Sequence, residues 1–358
     1  MSSPTSPPTV IHFPSPVPTR PNATPPPTLN ETEQTEYDLV LTHFSSPEYA
    51  LPNVQSGKGT LSEEERMWLT HLESNNPPQS YECILRYLRA TKHNVSRCID
   101  ALEATLKWRR DFGLYSKLTP DYLEPEASIG KMFLFGYDTC GRPAMYVVPG
   151  KLTPDGQMQL EFAFWIIERA IDLMGPGVES LTIMVDYSDS NGPGPSISTA
   201  RQIVNILQTH YPERLGAALI GHLPWLIHLF FKLVLSFMDP VTREKMVFNP
   251  VIDGDGLWTS VDARNNVQAD EKQPGVPAAK AFELDQLIAQ GWEGTQNFVY
   301  DHALYWPALV DLCESRRKDM VRVWRELGGA IGIKEWDVKV GVQDGQSAPK
   351  VVTDSQAI

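Results

Sequence analysis

The sequence predicts an α/β fold in which a small helical subdomain precedes a mainly parallel β-sheet. Short apolar runs of strand type occur at 180–187, 214–223 and 245–249, and helical patterns separate them. This alternation is typical of parallel strands joined by crossover helices. Ahead of these runs, the segments KMFLFGYD and AMYVVP flank the turn TCGRP and predict a β-hairpin. Residues 60–113 contain only helical patterns, which predicts a separate helical subdomain.

Capping residues support the helices on both sides of this division. Ser62 and Glu65 have the spacing of a capping box. Asn94 is a suitable N-cap for a helix that ends at Gly113. In the sheet region, Asp239 is placed to cap a short turn whose first helical residue is a proline. Further helices are predicted from apolar periodicity at about residues 159–174, 196–210 and 302–327.

Composition divides the chain into five parts. The first thirty residues hold ten prolines among Ser and Thr and predict a disordered tail, followed by an irregular lead-in. The predicted parts are the tail and lead-in 1–59, the helical subdomain 60–125, the sheet domain 126–300, a C-terminal helix packed on that domain 301–340 and a flexible tail 341–358.

The most unusual segment is Trp225–Met238, in which eleven of fourteen residues are apolar. The other three, His228, Lys232 and Ser236, are spaced four apart and form one thin polar stripe on a helix. Fourteen helical residues rise only about 21 Å, which is too short for the roughly 30 Å hydrocarbon core of a bilayer. Such a helix is deeply buried, lies in a membrane interface, or covers a cavity that holds something equally apolar.

Charge and composition exclude several classes of function. A net charge of −13 disfavours nucleic acid as the main partner and also long-range attraction to an anionic membrane. No run of about 18 uncharged apolar residues predicts a membrane span, and no basic region followed by an apolar run predicts a signal peptide. The four cysteines lack metal-ligand spacing, and we expect them to be reduced thiols of an intracellular protein.

Motifs of catalysis are missing from the sequence. It contains no GxSxG elbow, no HExxH and no P-loop, and none of its eight histidines is paired with a Ser or Cys at a recognisable elbow. The loop SNGPGP after Asp186 lacks the GxGxxG spacing, and its prolines remove N–H donors that a phosphate site needs. We therefore expect neither an enzyme nor a resident cofactor or metal.

Glu213 and Lys245 stand out among the charged residues because each lies where a helix or capped turn meets a strand. Sheets present ligand-binding groups at the ends of their elements. Charged residues are mostly exposed in proteins, so a pair of solvated surface charges is the alternative interpretation.

From HYPERLG through the apolar helix to DPVTREK, the order and spacing of segments resemble the CRAL-TRIO lipid-binding family, and specifically its fungal phosphatidylinositol transfer proteins. LRYLRATK, KWRRDFG, GYDTCGRP and SLTIMVD occur in the family's order, and the resemblance covers about residues 60–330. The runs TREK followed by MVF, and SRRKDM followed by WRELGG, resemble the pleiotropic-drug-resistance branch most closely.

The resemblance implies that the sheet floors a hydrophobic lipid cavity and that the helix at Trp225–Met238 is its gate. In the closed state this helix packs on acyl chains, and in the open state it lies in the interface of a bilayer. The implied gate residues are Trp225, Leu226, Leu229, Phe230, Leu233 and Phe237.

Four residues correspond to the family's site for the inositol-lipid headgroup. Glu213 and Lys245 match its carboxylate and its cation, Thr242 matches a hydroxyl position, and Lys92 matches a further basic position. A phosphate requires a cation and hydrogen-bond donors, whereas inositol hydroxyls can donate to a carboxylate. Thr91 stands where an arginine is common in the family, which alters the surroundings of Lys92.

A second ligand is also implied. In family members that exchange phosphatidylcholine, a Ser-x-Thr and several tyrosines hold the choline headgroup; Ser180 and Thr182 match the first part, and Tyr146 lies nearby. Leu134 and Met145 fall where aromatic rings are expected, so the cation–π contribution to choline binding is weakened. Ordinary strand residues are the alternative interpretation of Ser180 and Thr182. Sterol, which is associated with the drug-resistance branch, is the alternative second ligand.

The implied function is the binding and transfer of phosphatidylinositol between membranes without catalysis, with presentation to a lipid kinase as a further role. The expected partners are phospholipid and, transiently, a membrane surface. The expected location is the cytoplasm, with peripheral association to membranes of the ER, the cell periphery or lipid droplets. Three alternatives stay open: a carrier of sterol or another hydrophobic ligand, a lipid hydrolase with a scattered triad, and a scaffold that acts through the proline-rich tail.

Overall fold

The computed structural model describes residues 10–18, 28–55, 58–69, 83–151, 156–190, 196–252, 258–260 and 282–345. Ahead of the sheet lie the helices α1 (Glu31–Ser45), α2 (Glu63–Trp68), α3 (Cys83–Ala90), α4 (Val95–Phe112) and α5 (Pro120–Ala127). The strands are β1 (Met132–Tyr137), β2 (Pro143–Val147), β3 (Leu181–Asp186), β4 (Leu215–Gly221), β5 (Met246–Phe248), β6 (Pro250–Ile252) and β7 (Trp258–Ser260). The remaining helices are α6 (Gln157–Asp172), α7 (Ile197–His210), α8 (Trp225–Leu235), α9 (Pro240–Glu244), α10 (His302–Glu326) and α11 (Glu335–Gly345).

The central sheet confirms the predicted α/β fold. Its strand order is β1-β2-β3-β4-β5; β1 and β2 form the predicted antiparallel hairpin, and β2 to β5 are parallel to one another. α6 connects β2 to β3, α7 connects β3 to β4, and α8 with α9 connects β4 to β5. Because each parallel strand pairs with the next strand in sequence, the amino ends of β2 to β5 form one continuous edge of the sheet.

The predicted caps are present. Ser62 and Glu65 form a reciprocal capping box at the start of α2. Asn94 accepts a backbone N–H in the first turn of α4, and Gly113 ends that helix in the left-handed conformation with a φ of 86°. Asp239 caps α9 by accepting the N–H of the third residue beyond it. Local hydrogen bonding of these side chains therefore sets the helix ends that the sequence predicted.

A helix replaces the irregular lead-in that was predicted before residue 60. α1 begins with a capping box in which Asn30 and Glu33 bond each other's backbone N–H groups, and it buries Tyr37, Val40 and Phe44. Spacings of three and four residues place these side chains on one helical face, and they join a core with α3 and α4. The helical subdomain thus begins before the predicted boundary, because a narrow apolar face is sufficient once other helices cover it.

Both predicted tails contain segments that contact the folded part of the chain. In 10–18, assigned by composition to a disordered tail, Ser15 Oγ accepts a hydrogen bond of 2.9 Å from the N–H of Gly136 in β1. At the other end, α11 continues past the predicted start of the flexible tail to Gly345. Residues 346–358 lie outside the described residues.

The core joins the sheet to the C-terminal helix. Tyr305 of α10 donates its hydroxyl hydrogen to the carbonyl of Leu134 in β1 and accepts the N–H of the same residue, both at 2.7 Å. Trp165 of α6 and Trp306 of α10 pack with ring centroids 4.9 Å apart. These contacts hold β1 and α6 against α10.

Candidate functional site

Charged and polar residues gather at the amino edge of the parallel strands. Arg142 directly precedes β2, Ser180 precedes β3, Glu213 lies in the turn before β4, and Lys245 precedes β5. Since these four strands are adjacent and parallel, their starts lie side by side. Open α/β sheets usually bind ligands at the carboxyl ends of their strands, so a site built from these residues lies at the opposite edge from the usual one.

Lys245 is the C-cap residue of α9, and its carbonyl accepts the N–H of Ala218 in β4. Its side chain is half-buried, and its ammonium has no hydrogen bond or ion pair among the residues that the structure describes. Burial lowers the pKa of Lys245; Glu213 and Asp239 act in the opposite direction, and the charge of Arg142 lowers this pKa further. The ammonium is therefore within electrostatic reach of another cation and of two carboxylates.

Glu213 is held by Arg89, which the sequence did not single out. Arg89 Nε donates to Glu213 Oε2 at 2.7 Å, and Arg89 Nη2 lies 3.3 Å from Oε2 of Glu179. Glu213 has a φ of 59°, a left-handed conformation that is uncommon for a residue other than glycine. Arg86 and Arg89, three residues apart on α3, share a helical face, and that spacing was the available signal for their pairing with the same acidic groups.

The same ion-pair network joins three parts of the fold. Arg86 is buried, and its Nη1 lies 3.0 Å from Oε1 of Glu179, which precedes β3. Arg214 donates to the carbonyl oxygen of Glu179 at 2.8 Å. In α11, Glu335 lies 4.0 Å from Arg86 and 2.7 Å from the ammonium of buried Lys339. These ion pairs therefore connect the amino edge of the sheet to both the helical subdomain and α11.

The HYPERLG segment is anchored on the residues that precede Glu213. The Nδ1 atom of His210 lies 2.9 Å from Oγ1 of Thr105 in α4, and burial, aided by a nearby guanidinium, lowers the pKa of His210 to about 4. This histidine is therefore neutral at pH 7. Tyr211 donates its hydroxyl hydrogen to Oε1 of Glu168 in α6 at 2.8 Å. These two contacts fix the position of the residues directly before Glu213.

Thr242 and Lys92, the other two residues implied for the headgroup, have different surroundings. Thr242 donates both its hydroxyl and its N–H to the carboxylate of Asp239, at 2.5 and 2.9 Å, and lies one turn before Lys245. Lys92 is exposed in the turn after α3, where its backbone N–H donates to the carbonyl of Arg89. Thr242 therefore belongs to the same short helix that Lys245 ends, whereas Lys92 is linked to Arg89, the partner of Glu213, only through the backbone.

The three residues implied for a second headgroup, Ser180, Thr182 and Tyr146, have different contacts in the structure. Thr182 is buried and donates its hydroxyl hydrogen to Oδ2 of Asp138 at 2.8 Å. Tyr146 is buried against Phe133, with ring centroids 5.1 Å apart. Ser180 lies at the amino edge instead. The hydroxyl of Thr182 thus already has a carboxylate partner, whereas Ser180 shares its position with the implied inositol-lipid residues.

The inward face of α8 is formed by residues that the sequence did not single out. The ring of Phe231 packs against the rings of Tyr187 and Phe248, with centroid distances of 6.4 and 5.4 Å. Ile227 is buried on the sheet side and Val234 on the α7 side. α8 therefore rests directly on β3 to β5 and on α7 in this conformation.

The outward face of α8 carries three of the implied gate residues. Trp225, Leu229 and Leu233 are 60%, 50% and 52% exposed, and their spacing of four residues places them in one stripe. This stripe is an exposed apolar surface on a helix whose opposite face is also apolar. Within the part of the chain that the structure describes, none of the helices is long and apolar enough to cross a membrane.

The other implied gate residues lie between these two faces or beyond the helix. Phe230 packs against α7. Phe237 follows α8, and the guanidinium of Arg201 lies 4.3 Å from the centroid of its ring. The side chain of Leu226 lies outside the described part of the structure.

A small cavity of about 160 Å³ lies away from α8, where the helical subdomain meets α6 and α10. Tyr115, Trp165, Arg169 and Arg317 are among its lining residues. A volume of this size holds a few water molecules and not a lipid. Under α8 the described side chains contact one another, so room for a lipid between α8 and the sheet requires α8 to move away from the contacts of Ile227 and Phe231.

A mainly parallel sheet with charged groups at its amino edge, covered by a helix that is apolar on both faces, agrees with the lipid-binding class that the sequence resemblance implies. This chain belongs to the CRAL-TRIO family. The model of the CRAL/TRIO domain matches residues 127–264, and the model of the CRAL/TRIO N-terminal domain matches residues 36–104. The second match begins inside α1, in agreement with a helical subdomain that starts before residue 60.

Two fungal relatives show how much of the chain is shared. A CRAL-TRIO domain-containing protein of Schizosaccharomyces pombe is 39% identical over 316 residues, which cover 87% of this chain and 28% of that protein. Phosphatidylinositol transfer protein PDR17 of Saccharomyces cerevisiae is 30% identical over 332 residues, covering 87% of this chain and 84% of the relative. The crystal structure of Sfh5 aligns with a TM-score of 0.41 and 17% identity, over 66% of this chain and 90% of that chain. The resemblance to fungal phosphatidylinositol transfer proteins of the CRAL-TRIO family is confirmed by the family models and by PDR17.

Proposed function

We propose that this chain is a non-enzymatic protein that binds phosphatidylinositol and transfers it between membranes. The observation that carries the proposal is the amino-edge site, where half-buried Lys245 lies within electrostatic reach of Arg142 and Glu213. Cations suit the phosphodiester of the lipid, and a carboxylate suits the hydroxyls of the inositol ring. Two relatives that carry the name phosphatidylinositol transfer protein support the same ligand.

The acyl chains of the lipid are assigned to the region that opens between α8 and the sheet when α8 moves away from its contacts. Burial of acyl chains is favourable by about 0.8 kcal/mol per methylene, and both a bilayer and a protein cavity supply this free energy. Exchange between them is therefore nearly thermoneutral and requires no nucleotide hydrolysis. The main barrier is the separation of α8 from its contacts through Ile227, Phe231 and Val234.

A transient membrane surface is the partner that this mechanism requires. The outward stripe of Trp225, Leu229 and Leu233 is the part of α8 that meets the bilayer first. A protein that carries this lipid at the surface of a membrane can also present it to a lipid kinase. We assign it to the cytoplasmic side of membranes such as those of the ER, the cell periphery or lipid droplets.

A transfer assay with three labelled lipids tests the proposed cargo. Donor vesicles of phosphatidylcholine contain labelled phosphatidylinositol, labelled phosphatidylcholine or labelled sterol, and acceptor vesicles contain no label. We expect phosphatidylinositol to move at least about tenfold faster than sterol, which corresponds to about 1.4 kcal/mol of preference. Native mass spectrometry of the purified chain is expected to show the same lipid bound.

Two results would contradict this proposal. Transfer of sterol without transfer of phosphatidylinositol would make the chain a sterol carrier and would leave Glu213 and Lys245 as surface charges. Labelling of a serine by a fluorophosphonate probe would instead point to a lipid hydrolase, because such probes react with activated serine nucleophiles.

Removal of the two leucines of the outward stripe is expected to weaken the binding of the protein to membranes. The double variant Leu229→Ser, Leu233→Ser is expected to bind phosphatidylcholine vesicles about tenfold less tightly, because each half-exposed leucine loses part of the roughly 1.5–3 kcal/mol that full burial contributes. Cosedimentation with vesicles measures this binding. The matched control is Leu304→Ser, Leu327→Ser, two exposed leucines at the ends of α10. Equal losses in both double variants would show a general effect of surface hydrophobicity and not a docking face.

A further inference from the structure

Gly216, near the start of β4, has no side chain, and two polar groups occupy the space where a Cβ atom would lie. A Cβ atom at Gly216 would lie 2.6 Å from Cδ and 2.8 Å from Nε of Arg142, and 2.8 Å from Oγ of Ser180. The guanidinium of Arg142 and the hydroxyl of Ser180 are therefore both close to one point at the amino edge of the sheet. Any residue larger than glycine at this position would displace them.

The charges around this point favour an anion. The charge of Arg142 lowers the pKa of Lys245, so the two cations are within electrostatic reach, and neither donates a hydrogen bond to a carboxylate within the described ranges. The nearest carboxylate oxygen to Arg142 is Oδ2 of Asp138 at 3.7 Å from Nη1, beyond hydrogen-bond distance. That carboxylate is occupied by the hydroxyl of Thr182 and by two backbone N–H groups.

The ammonium of Lys245 has no ionic partner in the described ranges, and the guanidinium of Arg142 has a single ion pair, with Asp138, that spans 3.7 Å. Such half-buried cations are stabilised by a negative ligand that lies between them. Both carboxylates that act on Lys245 have other partners: Glu213 is paired with Arg89 at 2.7 Å, and Asp239 accepts the N–H and the hydroxyl of Thr242. The arrangement of a guanidinium, an ammonium and a hydroxyl is suited to a phosphate that carries one negative charge, because the first two supply charge and all three supply donors.

We propose that Arg142 and Ser180 bind the phosphodiester of the carried inositol lipid together with Lys245. This inference rests on the proposed function and deepens it, since it names two further binding residues. Ser180 then belongs to the inositol-lipid site and not to a second headgroup site with Thr182. Glu213 is left to select the inositol ring, while the three donors hold the phosphate that links the ring to the diacylglycerol.

The experiment compares phosphatidylinositol transfer by the wild-type chain, Arg142→Gln, Arg142→Lys and Ser180→Ala. We expect Arg142→Gln to transfer roughly five- to tenfold more slowly and Ser180→Ala about threefold more slowly, as for the loss of a charged and a neutral hydrogen bond. Arg142→Lys is expected to lie between Arg142→Gln and wild type, because lysine keeps the charge and loses the planar fork. Arg97→Gln and Ser96→Ala, exposed and adjacent on α4, are the matched controls and are expected to equal wild type.

The possible outcomes separate this inference from the proposed function. If wild type transfers phosphatidylinositol and Arg142→Gln and Ser180→Ala match it, the inference fails and the proposed function stands. If wild type transfers no phosphatidylinositol, both fail. A lower unfolding temperature in Arg142→Gln, with no recovery in Arg142→Lys, would assign the arginine to the hairpin turn and overturn the inference.

A further arm separates a lipid headgroup from free phosphate. Excess inorganic phosphate is added to the wild type during thermal unfolding and during transfer. If phosphate stabilises the wild type but leaves the transfer rate unchanged, the site binds free phosphate away from the lipid and the inference is overturned. The expected result is that phosphate slows transfer in the wild type and has a smaller effect on Arg142→Gln.

Discussion

Replacement of Lys245 by alanine is expected to slow phosphatidylinositol transfer roughly tenfold to hundredfold, because hydrogen bonds to charged groups contribute about 1.5–3 kcal/mol. The ammonium is half-buried and has no hydrogen-bonded or ionic partner in the described part of the chain. Its removal therefore leaves no carboxylate unpaired, and we expect the free energy of unfolding to stay close to that of wild type. Vesicle transfer and thermal unfolding measure the two quantities separately.

The control for this variant is Lys318→Ala. The side chain of Lys318 is 78% exposed on α10 and pairs with Glu314 of the same helix. Transfer by Lys318→Ala is expected to equal wild type, and Lys245→Arg is expected to retain part of the activity because it keeps the charge. Equal transfer rates for the wild type and Lys245→Ala would remove Lys245 from the headgroup site.

Replacement of Arg109 by alanine is expected to destabilise the fold by about 3–5 kcal/mol, because the loss of one partner leaves a buried charge uncompensated. Arg109 of α4 is buried, and its Nη1 and Nη2 donate to the two carboxylate oxygens of Glu168 in α6 at 2.8 and 2.9 Å. Tyr211 bonds the same carboxylate, so the damage extends to the turn before β4. Chemical denaturation measures the free energy of unfolding.

A surface pair provides the control for this large effect. Arg322 lies 3.1 Å from Glu326 on the exposed side of α10. Arg322→Ala is expected to leave the free energy of unfolding nearly unchanged, because exposed ion pairs contribute little to stability. A similar small change in Arg109→Ala would mean that the helical subdomain and the sheet domain do not depend on this ion pair.

The pH dependence of stability follows from the same pair. Burial by itself raises the pKa of Glu168, but the charge of Arg109 and the hydrogen bonds from Arg109 and Tyr211 lower this pKa from 4.5 to about 2. A lowered pKa in the folded state means that the contribution is complete above about pH 4.5 and is lost as the pH falls towards 2. The Glu168→Gln variant is expected to show a smaller loss of stability over this interval.

Much of the fold could be predicted because its signals are local. The alternation of strand-like runs and helical patterns predicted β3 to β5 and their connecting helices, and the segments that flank the turn TCGRP predicted the hairpin of β1 and β2. Asn94 and Gly113 predicted both ends of α4, since capping depends on residues within one turn of the helix end. α1 was not predicted because only three of its side chains are buried, and they are buried by contact with α3 and α4 and not by a wide apolar face of their own.

The apolar pattern of α8 does not predict which face of the helix packs on the sheet. With eleven apolar residues in the fourteen from Trp225 to Met238, the helix has apolar side chains on nearly every side. The sequence therefore predicted the helix but not its rotation. The structure decides that Ile227, Phe231 and Val234 point inward and Leu229 and Leu233 outward, because the sheet and α7 offer complementary surfaces only to the first group.

The sequence by itself determined the order of the elements, their caps and the polar residues at the starts of the strands. Only the tertiary structure decided that Arg89 holds Glu213, and that Arg142 and Ser180 meet beside Gly216 near Lys245. The physical reason is the range of the forces involved. Periodicity and capping act within a few residues, whereas the partners of a charged side chain depend on which distant segments the packing of the core brings to the same edge.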